Sequence, residues 1–242
     1  MEPQDASTVI LLRQGKELLE VFLLRKSRSL EFAAGAYVFP GGKVDEEDQN
    51  PRWFSLFSHL TREAMEERMT DILPKSPLGF HVAALRELLE ESGLLLSERP
   101  CPPDVIQEIR TQLHEGKCFL PLIESFQLKL SPEKLTYYAH WLTPTLFPVR
   151  YNTCFFMSEL PEGFNLTPDL HETSEGLWMS PQIALKKNEE GALPLMPPTV
   201  ITLAELSHFD SVKKAIQWGD KRQKILRQPW VDENGVLQIP PS

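Results

Sequence analysis

Cysteine is scarce in these 242 residues, and the three present, Cys101, Cys118 and Cys154, show no Cys-x2-Cys spacing. So odd and scattered a set excludes a disulfide framework and a zinc site, and it points to a reducing compartment. No apolar run approaches the 18 or so residues of a bilayer-spanning helix, so no membrane is expected as a partner. The opening Met1-Glu2-Pro3-Gln4-Asp5 is acidic and lacks the apolar core of a secretory signal, and the closing Pro240-Pro241-Ser242 is not a peroxisomal address. A cytoplasmic location is the expectation. Positive charge is also in short supply. Lys and Arg number 25 against 34 Asp and Glu, a net charge of −9, which argues against nonspecific duplex binding and hence a nucleic-acid partner. It does not exclude a small anionic substrate, because a bound cation and a few local bases can reverse the field in a pocket. Repeats and low-complexity segments are absent as well.

What is present is an ordinary globular composition, 41% apolar and 24% charged, long enough for one domain with insertions or for two small ones. The stretch that stands out is Arg86-Glu87-Leu88-Leu89-Glu90-Glu91-Ser92-Gly93-Leu94. Its carboxylates fall at i, i+3 and i+4, on one face of a helix, while Leu85, Leu88 and Leu89 take the other side and Gly93 supplies the stop. Like charges at this spacing oppose the helix, and a hard divalent cation reverses that, since Mg²⁺ and Mn²⁺ prefer clustered carboxylate oxygens.

Around this helix, Thr8 to Leu12 and Leu18 to Leu24 read as strands joined by the Gln14-Gly15-Lys16 turn. Arg25, Lys26 and Arg28 follow directly, a basic cluster suited to phosphates. Phe39-Pro40-Gly41-Gly42 comes next, where paired glycines let backbone approach a ligand closely. Between this loop and the glutamate helix, Trp53, Leu56, Phe57, Leu60 and Ala64 fall at i, i+3, i+4, i+7 and i+11, which predicts one more helix. Ser76 and Pro77 are placed to start the glutamate helix as N-cap and N1. Leu94 to Leu96 reads as a buried strand, Asp104 as the cap of a helix reaching Glu115-Gly116, and Pro121 to Phe126 as a short helix. Strands are expected at Leu135 to Leu142, Thr153 to Met157 and Glu175 to Met179. Helices follow from Ser180-Pro181, over Val200 to Leu206 and over Ser211 to Trp218, and Asn234-Gly235 marks a turn in the tail.

The glutamate segment resembles the second half of the Nudix box, Arg-Glu-apolar-x-Glu-Glu-x-Gly-apolar, and Phe39 to Asp45 looks like the loop that enters that box. The chain is thereby identified as a member of the Nudix hydrolase superfamily. The first acidic position of the box falls on Asp48 in place of the usual glutamate, and about thirty extra residues separate Asp48 from Arg86. The resemblance implies an α/β fold, a mixed β-sheet sandwiched between helices. Residues 1–242 then form a single domain with helical insertions at about 49–79 and 97–134. It implies divalent metal (Mg²⁺ or Mn²⁺) held by Glu87, Glu90, Glu91 and the carbonyl of Gly41, with Glu87 ligating or acting as base and Arg86 pairing with the glutamates. A later-loop carboxylate or histidine often serves as base in this family. Among His171, Glu172 and Glu175, the Glu-x2-Trp-x-Ser-Pro arrangement favours Glu175. The remaining histidines, His59, His81, His114, His140 and His208, read as surface or core.

The long insert, the basic run before the glycine loop, His140 to Pro144 and Arg150 to Phe156 resemble the branch that includes the acyl-coenzyme A diphosphatases. Lys26 and Glu31 depart from the arginines of that branch's separate signature. This implies a small nucleotide-type substrate, coenzyme A or acyl-CoA first, bound through Arg25, Lys26, Arg28, Gly42 and Arg150. ADP-ribose, nucleotide sugars and dinucleoside polyphosphates are alternatives, as is a non-catalytic nucleotide-binding module. The insertions are expected either to cap an acyl-pantetheine arm or to mediate a homodimer.

Overall fold

The run Val9-Ile10-Leu11-Leu12 is apolar without alternation, which suits a strand covered on both faces. In the computed structural model, which describes residues 2–27, 34–70, 76–169, 173–232 and 237–238, this run lies in β1 (Gln4–Gln14). Val9 and Leu11 enter one hydrophobic cluster, and Ile10 and Leu12 enter a second across the sheet. The chain returns antiparallel as β2 (Leu19–Lys26), with Leu12 opposite Val21.

The hairpin then forks. β3 (Tyr37–Val38) pairs with the far end of β2, and β4 (Gly41–Lys43) pairs with the N-terminal half of β1. Phe39-Pro40 and the glycine pair thus fill the gap between the two hairpin strands, and Pro40 gives its carbonyl to Val9 N at 2.8 Å. The opposite edge of β1 runs parallel to β6 (Tyr151–Glu159), which continues to β5 (Thr136–Leu142) and β8 (Leu226–Arg227), while β7 (Thr173–Met179) borders β2.

Helices α1 (Arg62–Arg68), α2 (Pro77–Ser92), α3 (Pro103–His114) and α4 (Phe119–Ser125) cover the face of Val9 and Leu11. Helices α5 (Pro181–Glu189), α6 (Pro197–Leu206) and α7 (Val212–Lys221) cover the other. The expected mixed sheet between helices is what forms. In the tail, β9 (Trp230–Val231) pairs with β10 (Leu237–Gln238), and the Asn234-Gly235 turn lies outside the described residues.

Three local expectations are corrected. The apolar positions from Trp53 to Ala64 do not share one helix: a 3-10 turn spans Pro51–Ser55, and α1 starts only at Arg62, capped by Thr61. The interruption has a tertiary cause. Leu130 donates to Leu56 O and accepts from Ser58 N, so this backbone is bonded to a distant segment instead of to its own next turn. Leu94 to Leu96 is buried but is not a strand; the segment instead ends in a single bridge between Ser97 and Leu130. Asp104 lies within the first turn of α3, whose N-cap is Pro102. Both insertions join the main core, as Trp53, Phe57 and Met65 share a cluster with Leu85 and Phe119.

His81, on the buried side of α2, meets Phe156 at 4.8 Å between centroids, and its Nδ1 lies 3.0 Å from Pro77 O. Burial brings its pKa down to about 4. The unfolded chain therefore takes up this proton first, so stability is expected to fall as pH drops below 6.5 and to level off near 4. The loss amounts to about 3 kcal/mol. Urea midpoints at pH 7, 5.5 and 4.5 should show a flatter dependence for His81→Asn, and equal slopes would remove the assignment.

Candidate active site

The glutamate helix is held at both ends. Ser76 occupies the N-cap of α2, yet its side chain makes no cap bond, so the start rests on Pro77 at N1. At the other end Gly93 turns into the left-handed region, φ +75°, and its N–H bonds to Leu89 O. The next carbonyls are claimed from outside the helix. Arg110 Nη2 donates to Glu90 O at 2.8 Å, Asp169 N to Glu91 O at 3.0 Å and Thr167 N to Ser92 O at 2.9 Å. The last-turn acceptors are thus satisfied, which fixes the rotation of the turn that carries Glu90 and Glu91.

Leu85, Leu88 and Leu89 are completely buried, a contribution on the order of 5 kcal/mol for the three together. The acidic side is not wet either. It is closed by the glycine loop: Glu91 accepts from Lys26 Nζ at 2.6 Å and from Gly41 N at 2.8 Å. Arg86 gathers the other carboxylates. Its Nη1 donates to Glu87 at 2.7 Å and to Glu90 at 3.1 Å. Its Nε and Nη2 grip Asp48 at 3.3 and 2.9 Å, and Nη2 also reaches Lys43 O at 2.8 Å. Asp48 therefore reaches Arg86 despite the insert, and its carboxylate also accepts from Asp45 N. The insert leaves and rejoins the box without separating its two halves.

Gly42 shows how close this packing is. A Cβ there would lie 2.4 Å from the Glu87 carboxylate, whereas one on Gly41 would lie 2.2 Å from Ser7 O in β1. The two positions should therefore separate chemistry from folding. Gly42→Ala displaces the end of a flexible side chain and is expected to lower activity by about tenfold or more with little change in Tm. Gly41→Ala strikes backbone and is expected to cost a few kcal/mol, roughly, in stability. Thermal melts paired with turnover assays check both, and equal behaviour of the two variants would count against this geometry.

Burial above all, opposed by Arg86 and reinforced by Glu91 and Glu90, pushes the Glu87 carboxyl up to about 8. Burial also works against the Arg86 charge, but Asp48, Glu87 and Glu90 outweigh it and hold the guanidinium more firmly protonated than usual. This pocket packs the carboxylates of Asp48, Glu87, Glu90 and Glu91 around Arg86 and Lys26. Its donors are hard oxygens, so a divalent cation fits it and would bring Glu87 back to carboxylate. Among the described residues no three acidic, histidine or cysteine side chains are already gathered around an ion position. Glu91 turns to Lys26 and Gly41, while Glu87 and Glu90 turn to Arg86.

Of the remaining sequence candidates, Lys26 joins the cluster through Glu91, but Arg25 faces the other side of the sheet, 5.6 Å above the Tyr37 ring. Glu175 is paired with Arg25 in the β2–β7 register and accepts from Tyr37 Oη at 2.8 Å. It therefore shares the face of Arg25, not that of Lys26 and Glu91, and the structure does not bring it to the glutamates as a base. Strand alternation is the reason. Arg150 holds Thr143 O through Nε at 3.0 Å. Arg28, His171 and Glu172 lie outside the described residues. Sequence reasoning missed Arg110 and Asp169, which lock the end of α2. A lone arginine on an amphipathic helix and an aspartate in a loop carry no motif that could have marked them.

Beside the glycine loop opens a cavity of about 390 Å³. Lys26, Gly41, Gly42, Trp141 and Phe147 line it, together with Met196 just before α6.

The family model for the NUDT19 Nudix domain matches residues 4–206. An acyl-coenzyme A diphosphatase NUDT19 from Gallus gallus is 26% identical over 92% of this chain and 71% of its own length. The peroxisomal coenzyme A diphosphatase ndx-8 of Caenorhabditis elegans is 46% identical over 66 residues, 26% of either protein. The crystal structure of a Nudix hydrolase from Alicyclobacillus acidocaldarius superimposes with a TM-score of 0.72 at 23% identity. That match covers 90% of this chain and 96% of the other, and it shows the fold. No helix among the described residues is long and apolar enough to cross a membrane. Enzymes of this superfamily hydrolyse diphosphate bonds and generally need a divalent metal. With the box assembled around Arg86 and the family model spanning most of its length, the chain belongs to the NUDT19 branch of the Nudix hydrolases.

Proposed function

We propose that this enzyme cleaves the diphosphate of coenzyme A or acyl-CoA, releasing adenosine 3′,5′-bisphosphate and a 4′-phosphopantetheine. The reading rests on one observation: the glycine loop closes on the glutamate helix, with Glu91 bonded to Gly41 N and Lys26 and Glu87 against Gly42, while Arg86 holds Glu87 together with Glu90. The names of the similar proteins support the choice of substrate. Mg²⁺ or Mn²⁺ held by Glu87, Glu90, Glu91 and Gly41 would neutralise the diphosphate and polarise its phosphoryl oxygens.

The remaining work falls to the chain itself. A water oxygen attacks one phosphorus, the bridging P–O bond breaks, and the departing phosphate keeps the electron pair. Gly41 and Gly42, with no side chains, let the diphosphate lie against the loop. Lys26 adds positive charge beside Glu91. Arg86 orients Glu87 and Glu90 through one nitrogen, which leaves Glu87 as a ligand or as the acceptor of the water's proton. Arg28 is left as the candidate for the nucleotide phosphates, since Arg25 faces the other side of the sheet and Arg150 bonds Thr143 O. We read residues 1–242 as one domain in a reducing, cytoplasmic setting. Peroxisomal targeting is the alternative, and fractionation decides it.

Product analysis by chromatography, with Mg²⁺ and then Mn²⁺, tests the substrate. The panel holds coenzyme A, an acyl-CoA, ADP-ribose, a nucleotide sugar and a diadenosine polyphosphate. Adenosine 3′,5′-bisphosphate is the expected product. AMP from ADP-ribose with no coenzyme A cleavage would keep the mechanism and discard the substrate.

A further inference from the structure

The cavity beside the glycine loop is built for an apolar ligand. Its walls are Trp141, Phe147, Val149, Phe155 and Met196 together with prolines of the α6 start and Pro229. The charged residues among its lining are Lys26 and Lys43, both at the glycine-loop end. Lys26 Nζ is also bonded to Glu91, so that end is continuous with the acidic cluster. Among the described residues the lining holds no other charged side chain. Arg150, the nearest candidate by sequence, turns its Nε to Thr143 O. A nucleoside bearing a 3′-phosphate would place a dianion against apolar wall there, at a desolvation cost nothing in the lining offsets. An alkyl arm meets no such penalty, and each methylene buried favours binding.

The mouth repeats the pattern. Phe147 and Val149 line the cavity yet are 43% and 46% exposed, and Leu146 beside them is 57% exposed. Three large apolar side chains on the β5–β6 loop are thus left in water at the opening of an apolar cavity. Among the described residues, none of the lining falls in 49–79 or 97–134.

We propose that this cavity receives the acyl-pantetheine arm of the substrate. The diphosphate lies at Lys26 and the glycine loop, and the β5–β6 loop, through Phe147 and Val149, sets the preference for acylated over free coenzyme A. The proposal rests on the substrate reading above and deepens it.

Calorimetric titration with coenzyme A and with octanoyl-coenzyme A tests it, in EDTA and again with Ca²⁺. The proteins compared are the wild type, the rim variants Phe147→Asp and Val149→Asp, and Ile183→Asp. Ile183 is a half-exposed residue on α5 that does not line the cavity. The octanoyl compound should bind about tenfold or more tightly than coenzyme A to the wild type and to Ile183→Asp. In the rim variants that ratio should fall close to one. A ratio near one in the wild type, a ratio unaltered by both rim substitutions, or no binding of octanoyl-coenzyme A would each overturn the proposal. Failure of the substrate reading looks different: the wild type then hydrolyses neither compound with Mg²⁺ or Mn²⁺, whatever the binding ratio.

Discussion

Glu91→Gln is expected to lower kcat by at least about 10³-fold, equivalent to roughly 4 kcal/mol of lost transition-state stabilisation. The side chain keeps its shape, so it can still accept from Gly41 N, but the charge facing Lys26 and any bound divalent ion is gone. Lys26 then loses this carboxylate and faces an amide NH2 in a nearly closed site, where its side chain is 16% exposed. A modest stability loss should accompany the kinetic one, and the fold should persist. Glu90→Gln is predicted to act in the same direction and to disturb Lys26 less, because Glu90 answers to Arg86. Steady-state kinetics with circular dichroism on both variants separate the outcomes. Turnover within tenfold of wild type in a folded Glu91→Gln protein would sink the assignment of this cluster as the catalytic centre.

Asp48→Asn should show the opposite balance, a large loss of stability. Asp48 is 1% exposed and takes two bonds from the Arg86 guanidinium. Removing one partner of a buried pair leaves the other charge uncompensated, which costs about 3–5 kcal/mol. Glu87 and Glu90 stay on the same guanidinium, so the lower end is the expectation, about 3 kcal/mol. In a chain of this length that corresponds to a fall in Tm of roughly 6–12 °C. Activity should drop as well, because Arg86 then leans on the glutamates it positions. Differential scanning calorimetry reads the first effect, and a Tm within 2 °C or so of wild type would show that Asp48 does not fasten the box. The comparison bears on the insert, since Asp48 and Arg86 are the two points where the box is joined across it.

The site was largely legible along the chain because its chemistry is local. Arg86, Glu87, Glu90 and Glu91 occupy consecutive turns of one helix, and helical periodicity alone puts them together. The glycine pair was legible for a similar reason: two adjacent residues without side chains mark a close backbone approach. Glu175 shows where this stops. Its neighbourhood depends on which face of β7 it occupies when β7 pairs with β2, and a strand's register is settled by its partner. Arg25 and Lys26 make the same point in adjacent positions, since alternation sends one to Tyr37 and the other to Glu91.

The insert is the instructive failure. Trp53 to Ala64 has the apolar spacing of a helix, and Trp53, Phe57 and Leu60 are buried as that spacing implies. The backbone nevertheless leaves the helix at Leu56 because Leu130, more than seventy positions away, offers it hydrogen bonds. Side-chain pattern specifies which face is covered, not which partner the backbone takes.

By itself, then, the sequence determined the long sheet strands β1, β2, β5, β6 and β7, the glutamate helix with its proline start and glycine stop, and the carboxylate set suited to a divalent ion. Tertiary structure decided the rest. It forked the β1–β2 hairpin around the glycine loop, brought Asp48 onto Arg86 across the insert, and turned Glu175 away. It also opened an apolar cavity from segments that are distant in the chain. The division has one physical cause: helical and strand periodicities act between near neighbours, whereas pairing, register and cavities arise only when separate segments compete for the same contacts.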